Sequence, residues 1–151
     1  MRYNLGYIMT TVKIRSNIPL LIENLNKGRQ IGLKNAALLL EAKVVERIES
    51  NIPPPLAEST IRKKGSSLAL VDKGELMGEV THKFPDENSA QVGIWGEKAK
   101  IGAIHEYGAP AAGIPERSFL RATINNSENR EEANAKMVVA LRKAIEESKL
   151  K

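Results

Sequence analysis

Apolar residues recur at two different periods along this chain, and the change of period divides it. Across residues 20–50 they return at helical intervals. Leu33, Ala37, Leu40, Val44 and Ile48 are spaced 4, 3, 4 and 4 and share one face. Lys34, Glu41, Lys43, Glu46, Arg47 and Glu49 mostly take the other side. Asn17 or Ser16 with Pro19 marks the entrance of this helix. Gly28 and Gly32 are its weak points, where the span would divide in two. Leu38 and Leu39 widen the apolar stripe, which predicts burial on two sides, either in the core or against another subunit. Asn51-Ile52-Pro53-Pro54-Pro55 then stops the helix, because three prolines fix φ and remove donors.

Residues 56–64 predict a short helix, closed by Gly65-Ser66-Ser67. Asp72 is placed to cap a helical turn that runs through Gly74 to Met77 and ends at Gly78. Here the period shortens to two. Val80, His82 and Phe84 alternate, as do Ala90, Val92 and Ile94, around turn chemistry in Pro85-Asp86-Glu87-Asn88. This predicts a β-hairpin with a four- or five-residue connection. Residues 9–14 alternate too, with Val12 and Ile14 on one side, and predict a short strand. Met9 is an alternative start, which would make residues 1–8 an optional flexible arm; the plainer reading is that they fray. Residues 100–107 predict a short helix. A last helix opens near Ser118 with Leu120 and Ile124, is interrupted at Asn125-Asn126-Ser127, and resumes through Met137, Leu141, Ala144 and Ile145. Residues 130–136 are charge-rich and read as a solvated face. The expected fold is α+β: a small, mainly antiparallel sheet packed against a long N-terminal helix and a C-terminal helix, with residues 9–14 as an added strand.

Composition narrows the class. At 151 residues the chain fits a single domain, residues 1–151, able to bury a real core. The apolar share of 42% is ordinary for a globular chain, and aromatics at 4% leave the core to Leu, Ile, Val and Ala. Lys and Arg number 23 against 18 Asp and Glu, and acids are interspersed with the bases, so sequence-specific nucleic-acid binding is disfavoured. Non-specific contact with passing DNA needs no base readout and stays compatible. With no cysteine there is no disulfide framework and no thiolate metal site. No apolar run approaches the ~20 residues of a membrane span. No signal peptide is evident, so synthesis and assembly in a cytoplasm are expected.

The stretch that the rest is organised around is residues 101–124, IGAIHEYGAPAAGIPERSFLRATI. Gly108, Pro110, Gly113 and Pro115 fall so close together that they predict a loop of defined shape. Tyr107 before it and Phe119 after it are read as aromatic pins, Phe119 as a core anchor and Gly108 as a positive-φ residue ending the short helix. The run HEYG, a Gly/Pro loop and IPERSFLRATI resembles the tail-completion and virion-morphogenesis proteins of tailed bacteriophages. Asp72, Gly74 and Leu76 in LVDKGEL match that family's L-x-D-T-G-x-L step, with Lys73 where Thr is usual; Ser118 stands where Pro is common. The resemblance covers residues 70–124 by motif. It implies a non-catalytic structural protein of the neck or head-proximal tail end, acting in head–tail joining. It also implies a homo-oligomeric ring, usually of six, in contact with neck or stopper proteins and with tail-terminator or tail-tube proteins. The expected location is the virion, with assembly in the host cytoplasm. A tail-tube terminator is the nearest alternative, and a DNA-binding accessory protein a more distant one.

The residues themselves offer little chemistry. His105-Glu106 places a base beside a carboxylate, yet neighbours on a helix point about 100° apart and form no dyad. A zinc site needs three or four placed ligands, and no H-x-x-x-H spacing occurs. No phosphate loop or nucleophile elbow is present. No cofactor and no metal are expected, and His105 reads as a satisfied, half-buried histidine. Glu106 and Arg117 are expected either to brace the loop between them or to cross to a neighbouring subunit. Trp95, out of phase with its strand, reads either as an interface residue or as packing under the following loop.

Overall fold

A computed structural model describes residues 16–149. The fold is α+β, with a two-stranded antiparallel sheet packed on helices at both ends of the described chain. In order the elements are α1 (Ile18–Glu49), α2 (Glu58–Lys64), α3 (Glu75–Gly78), β1 (Val80–Asp86), β2 (Ser89–Ile94) and α4 (Ala99–Tyr107). A single 3-10 turn (Pro110–Ala112), α5 (Leu120–Ile124) and α6 (Ser127–Glu147) complete it. The strand expected at residues 9–14 and the arm at residues 1–8 lie outside the described residues.

Contrary to expectation, α1 does not divide at its glycines. It runs unbroken for 32 residues, and Gly28 and Gly32 are buried. They are where α6 comes closest. A Cβ on Gly28 would stand 2.7 Å from the Ala144 Cβ, and one on Gly32 would stand 2.9 Å from the Met137 sulfur. Gly28 and Gly32 face Ala140 and Ala144 on an antiparallel helix, and both pairs repeat at four residues. Small side chains on both sides let the backbones approach, and that packing outweighs the glycines' poor helix propensity. The far ends are tied as well. Asn17 donates to the Ser148 carbonyl at 2.9 Å, and Asn24 donates to the Ser148 hydroxyl at 3.1 Å. Asn17 therefore spends its side chain on α6 rather than on capping α1.

The buried face of α1 changes along its length. Its first half buries the glycines, and its second half buries Ala37, Val44 and Ile48. Val44 and Ile48 join Ile52, Leu70, Leu76, Val80 and Phe119 in one apolar core under the hairpin. Of the two residues that widen the stripe, Leu39 is half-buried beside Lys136 of α6, while Leu38 stays 43% exposed among the described residues.

The hairpin turns more tightly than expected. Asp86 pairs with Ser89, leaving a two-residue connection at Glu87 and Asn88. The Asp86 carboxylate accepts from the Asn88 amide at 2.7 Å and the Ser89 hydroxyl at 2.6 Å, which closes the turn. The register slips between Lys83 and Asp86, where Phe84 and Pro85 stand against Ala90 alone. A bulge is where a strand tolerates a proline, since no ladder bond is asked of it. His82 meets Glu41 of α1 through Nδ1 at 2.6 Å and fastens β1 to the helix. The last helix is also two elements. Asn126 adopts extended backbone and its side chain caps α6 by accepting from the Asn129 amide at 3.0 Å.

Gly28→Ala tests the α1–α6 seam. On an exposed helix surface this change would stabilise by about 0.5–1 kcal/mol. Here the added methyl must displace Ala144, so a lower urea midpoint is expected, and Gly28→Val should cost about 2–3 kcal/mol.

Candidate functional site

The central stretch folds into a hairpin-like detour between α4 and α5. Gly108 ends α4 at φ 75° and ψ 168°, a conformation open to glycine, and a Cβ there would strike the Glu116 nitrogen at 2.8 Å. Ala109 and Ile114 then pair both ways, at 2.8 and 3.1 Å, around the 3-10 turn. The returning chain is held to α4 by the Arg117 amide, which donates to the His105 carbonyl at 2.7 Å.

Glu106 sits at the centre of this arrangement, 2% exposed. Its Oε2 accepts from the backbone amides of Phe119 and Leu120, each at 2.8 Å. Its Oε1 accepts from the Ser118 hydroxyl at 2.7 Å and from the Arg121 amide and Nε, each at 3.0 Å. Those amides are the orphan donors at the start of α5, a helix with no cap from its own N-cap residue. The capping carboxylate comes from a different helix, and its negative charge suits a helix N-terminus. Burial raises the Glu106 carboxyl. The Ser118 hydroxyl and the amides of Leu120, Arg121 and Phe119 outweigh it and hold the group below its ordinary value of 4.5.

Arg117 does not pair with Glu106. It is 4% exposed, and its Nε and Nη2 donate to the Pro54 carbonyl at 3.2 and 2.7 Å, tying this region to the proline stop after α1. Arg47 adds a second tie, from Nε to the Ser118 carbonyl at 3.0 Å. Between the two readings of Glu106 and Arg117, both side chains brace the fold within the chain, through different partners. Ser118, Arg121, Pro54 and Arg47 complete the brace, and the sequence reading missed them all. Ser118 supplies part of the cap locally, its hydroxyl accepting from the Ala122 amide at 3.2 Å, so no local signal pointed to a remote carboxylate.

Several expectations need correction. Tyr107 does not pin the loop in the core; it is 63% exposed, with the Arg121 guanidinium 4.5 Å above its ring. Phe119 alone is the anchor, fully buried. Asp72 makes no cap for α3, whose N-cap is Gly74 at φ 78°. Trp95 neither buries under the following loop nor stands clear of its strand. Its ring folds back over Gly93, with Lys83 Nζ 4.7 Å from it, and it stays partly exposed. His105 is half-buried but not satisfied, since Nδ1 has no hydrogen-bond partner among the described residues. Burial lowers its pKa from 6.5, and the nearby Arg117 and Lys64 charges lower it further. Pro115 is exposed in the returning segment, while Leu70 and Leu76 are buried in the core.

The two motif stretches meet. His105 lines a cleft of about 190 Å³ together with Lys64, Asp72, Lys73, Glu75 and Leu76. Glu75 is paired with Lys98 there. The Glu106 lone pairs are all engaged by donors, so this carboxylate cannot take a proton from a substrate. Among the described residues no three His, Asp or Glu side chains are grouped to hold a metal ion. No protein-family model, curated protein or solved structure matches the chain.

Glu106→Gln keeps the shape but turns an NH2 toward buried amides, so it should lower stability by about 2–3 kcal/mol at neutral pH. The folded Glu106 carboxyl lies below its unfolded value, so its contribution is full above pH 4.5 and is lost as pH falls through the folded pKa. The gap between wild type and variant in urea melts should therefore narrow in acid. His105, also depressed, adds a separate loss that begins as pH falls below 6.5 and disappears in His105→Gln.

Proposed function

We propose that this chain is a structural assembly protein of tailed bacteriophages, acting at the neck or head-proximal tail end in tail completion and head–tail joining. The observation that carries the reading is the use to which the motif residues are put. Glu106, Arg117 and Phe119 are buried braces and Leu70 and Leu76 are core, which supports a scaffold role for these residues of HEYG, PERSFL and LVDKGEL. The surface around that scaffold suits subunit contact. Ile101, Tyr107, Trp95 and Val139 are exposed apolar side chains, and among the described residues β1 and β2 pair only with each other. Open sheet edges must be covered, and a neighbouring copy in a ring covers them. The contacts would come from residues 51–69, residues 109–117 and Trp95. The partners would be further copies of the chain, six in a ring by the resemblance, and the adjoining neck and tail proteins.

Electron microscopy of a lysate made without this chain tests the proposal. Filled heads beside separate, full-length tails are the expected result. Tails of abnormal length would replace this reading with a tail-tube terminator. Infectious particles would overturn both, and duplex binding that weakens steeply with salt would then favour a DNA-binding accessory protein.

A further inference from the structure

Two cations beside His105 meet no carboxylate among the described residues. Lys64 Nζ donates to the carbonyls of Leu68 at 2.6 Å and Ala69 at 3.1 Å. Arg117 is 4% exposed, and its guanidinium donates to the Pro54 carbonyl. Burial lowers the His105 pKa, and these two charges lie close enough to lower it further. A buried or half-buried cation is costly to leave without a counter-charge.

The cleft that His105 lines supplies no such counter-charge. Its other charged side chains are Lys64, Asp72, Lys73, Glu75 and Lys98. Glu75 and Lys98 neutralise each other. Asp72 can offset its exposed neighbour Lys73, which leaves the charges of Lys64 and Arg117 unmatched. We propose that this cleft binds a phosphate group, free or as a monoester, between Lys64, Lys73 and His105.

The two unmatched positive charges suit a dianion, and hydrogen bonds from cations to phosphate oxygens are the strong kind. Lys64 is ready for that contact. Two of its three N–H groups are fixed by the loop after α2, so the ammonium is held in place with one donor left. Size agrees as well. The cleft encloses about 190 Å³, below the roughly 300–1,000 Å³ of sites for drug-sized ligands, so it takes a small group. A bound anion favours the imidazolium form, so binding should raise the His105 pKa that burial, Arg117 and Lys64 hold down. The proposal does not depend on the assembly reading.

Proton NMR reads His105 directly. The chain has one other histidine, His82, held by Glu41 on β1, which serves as internal control. His105→Gln identifies the His105 resonance by its loss. Inorganic phosphate and glycerol 3-phosphate are titrated separately into the full-length protein, with ionic strength held constant by chloride. The expected result is a saturable shift at His105, half-complete on the order of 1 mM. The His105 pKa should rise by about half a unit or more, with His82 unmoved. Lys73→Gln, a change at an exposed position that leaves folding intact, should weaken binding about threefold to fivefold. Tighter binding of the ester would identify a monoester as the ligand; binding no tighter than that of inorganic phosphate would identify the free ion. Absence of a saturable His105 shift with both probes would overturn the proposal. So would an equal shift at His82, an acetate titration that moves His105 as strongly, or full affinity in Lys73→Gln.

Discussion

One buried carboxylate holds the two halves of the motif region together. Glu106 projects from α4 into the start of α5 and takes up the amides that a five-residue helix cannot satisfy by itself. Without it, those amides would face a core in which Phe119 is fully buried, and each unmet donor costs free energy comparable to a lost hydrogen bond. The loop between α4 and α5 is therefore shaped from both ends. Gly108 permits the sharp exit, and Glu106 fixes where the return must land. Arg117 and Arg47 carry the constraint outward to the proline stop and the end of α1.

The long helices are joined by a different device. Gly28 and Gly32 against Ala140 and Ala144 bring two backbones close, and Asn17 and Asn24 hold the Ser148 end of α6. A contact built from small residues gains dispersion over its length but tolerates almost no added volume. The hairpin packs along α1 as well, fastened by His82 and Glu41 and, at its turn, by Glu87 and Arg29. α1 thus serves as the common support, with α6 running beside it from Asn17 to Lys43 and the hairpin packed on another side.

This division bears on function. The buried polar side chains Glu106, Arg117, Thr123 and Ser148 are engaged within the chain, while buried Arg29 Nε and His105 Nδ1 have no partner among the described residues. The exposed apolar side chains instead lie on several surfaces: α1, α4, α6 and the hairpin. Under the proposed assembly role such a distribution would meet different neighbours on different sides, with the Glu106 brace holding those sides in fixed relation.

The sequence by itself determined the elements. Helical spacing of apolar residues marked α1, alternation marked β1 and β2, and Pro53 to Pro55 and Gly108 marked the stops, because these are local effects of period and φ. It also determined that Phe119 would be core, since a lone Phe opening a helical pattern has few other places to go. Tertiary structure alone decided what the glycines of α1 are for. Their propensity argues for a break, and only the approach of α6 turns them into a contact. It also decided that Glu106 caps α5 rather than pairing with Arg117, and that Tyr107 lies outside while Phe119 lies inside. Each of these depends on which donors and surfaces meet across 13 or more residues of chain. Local pattern carries no term for such meetings, since the free energy of a remote cap or a close helix contact exists only once the chain has folded.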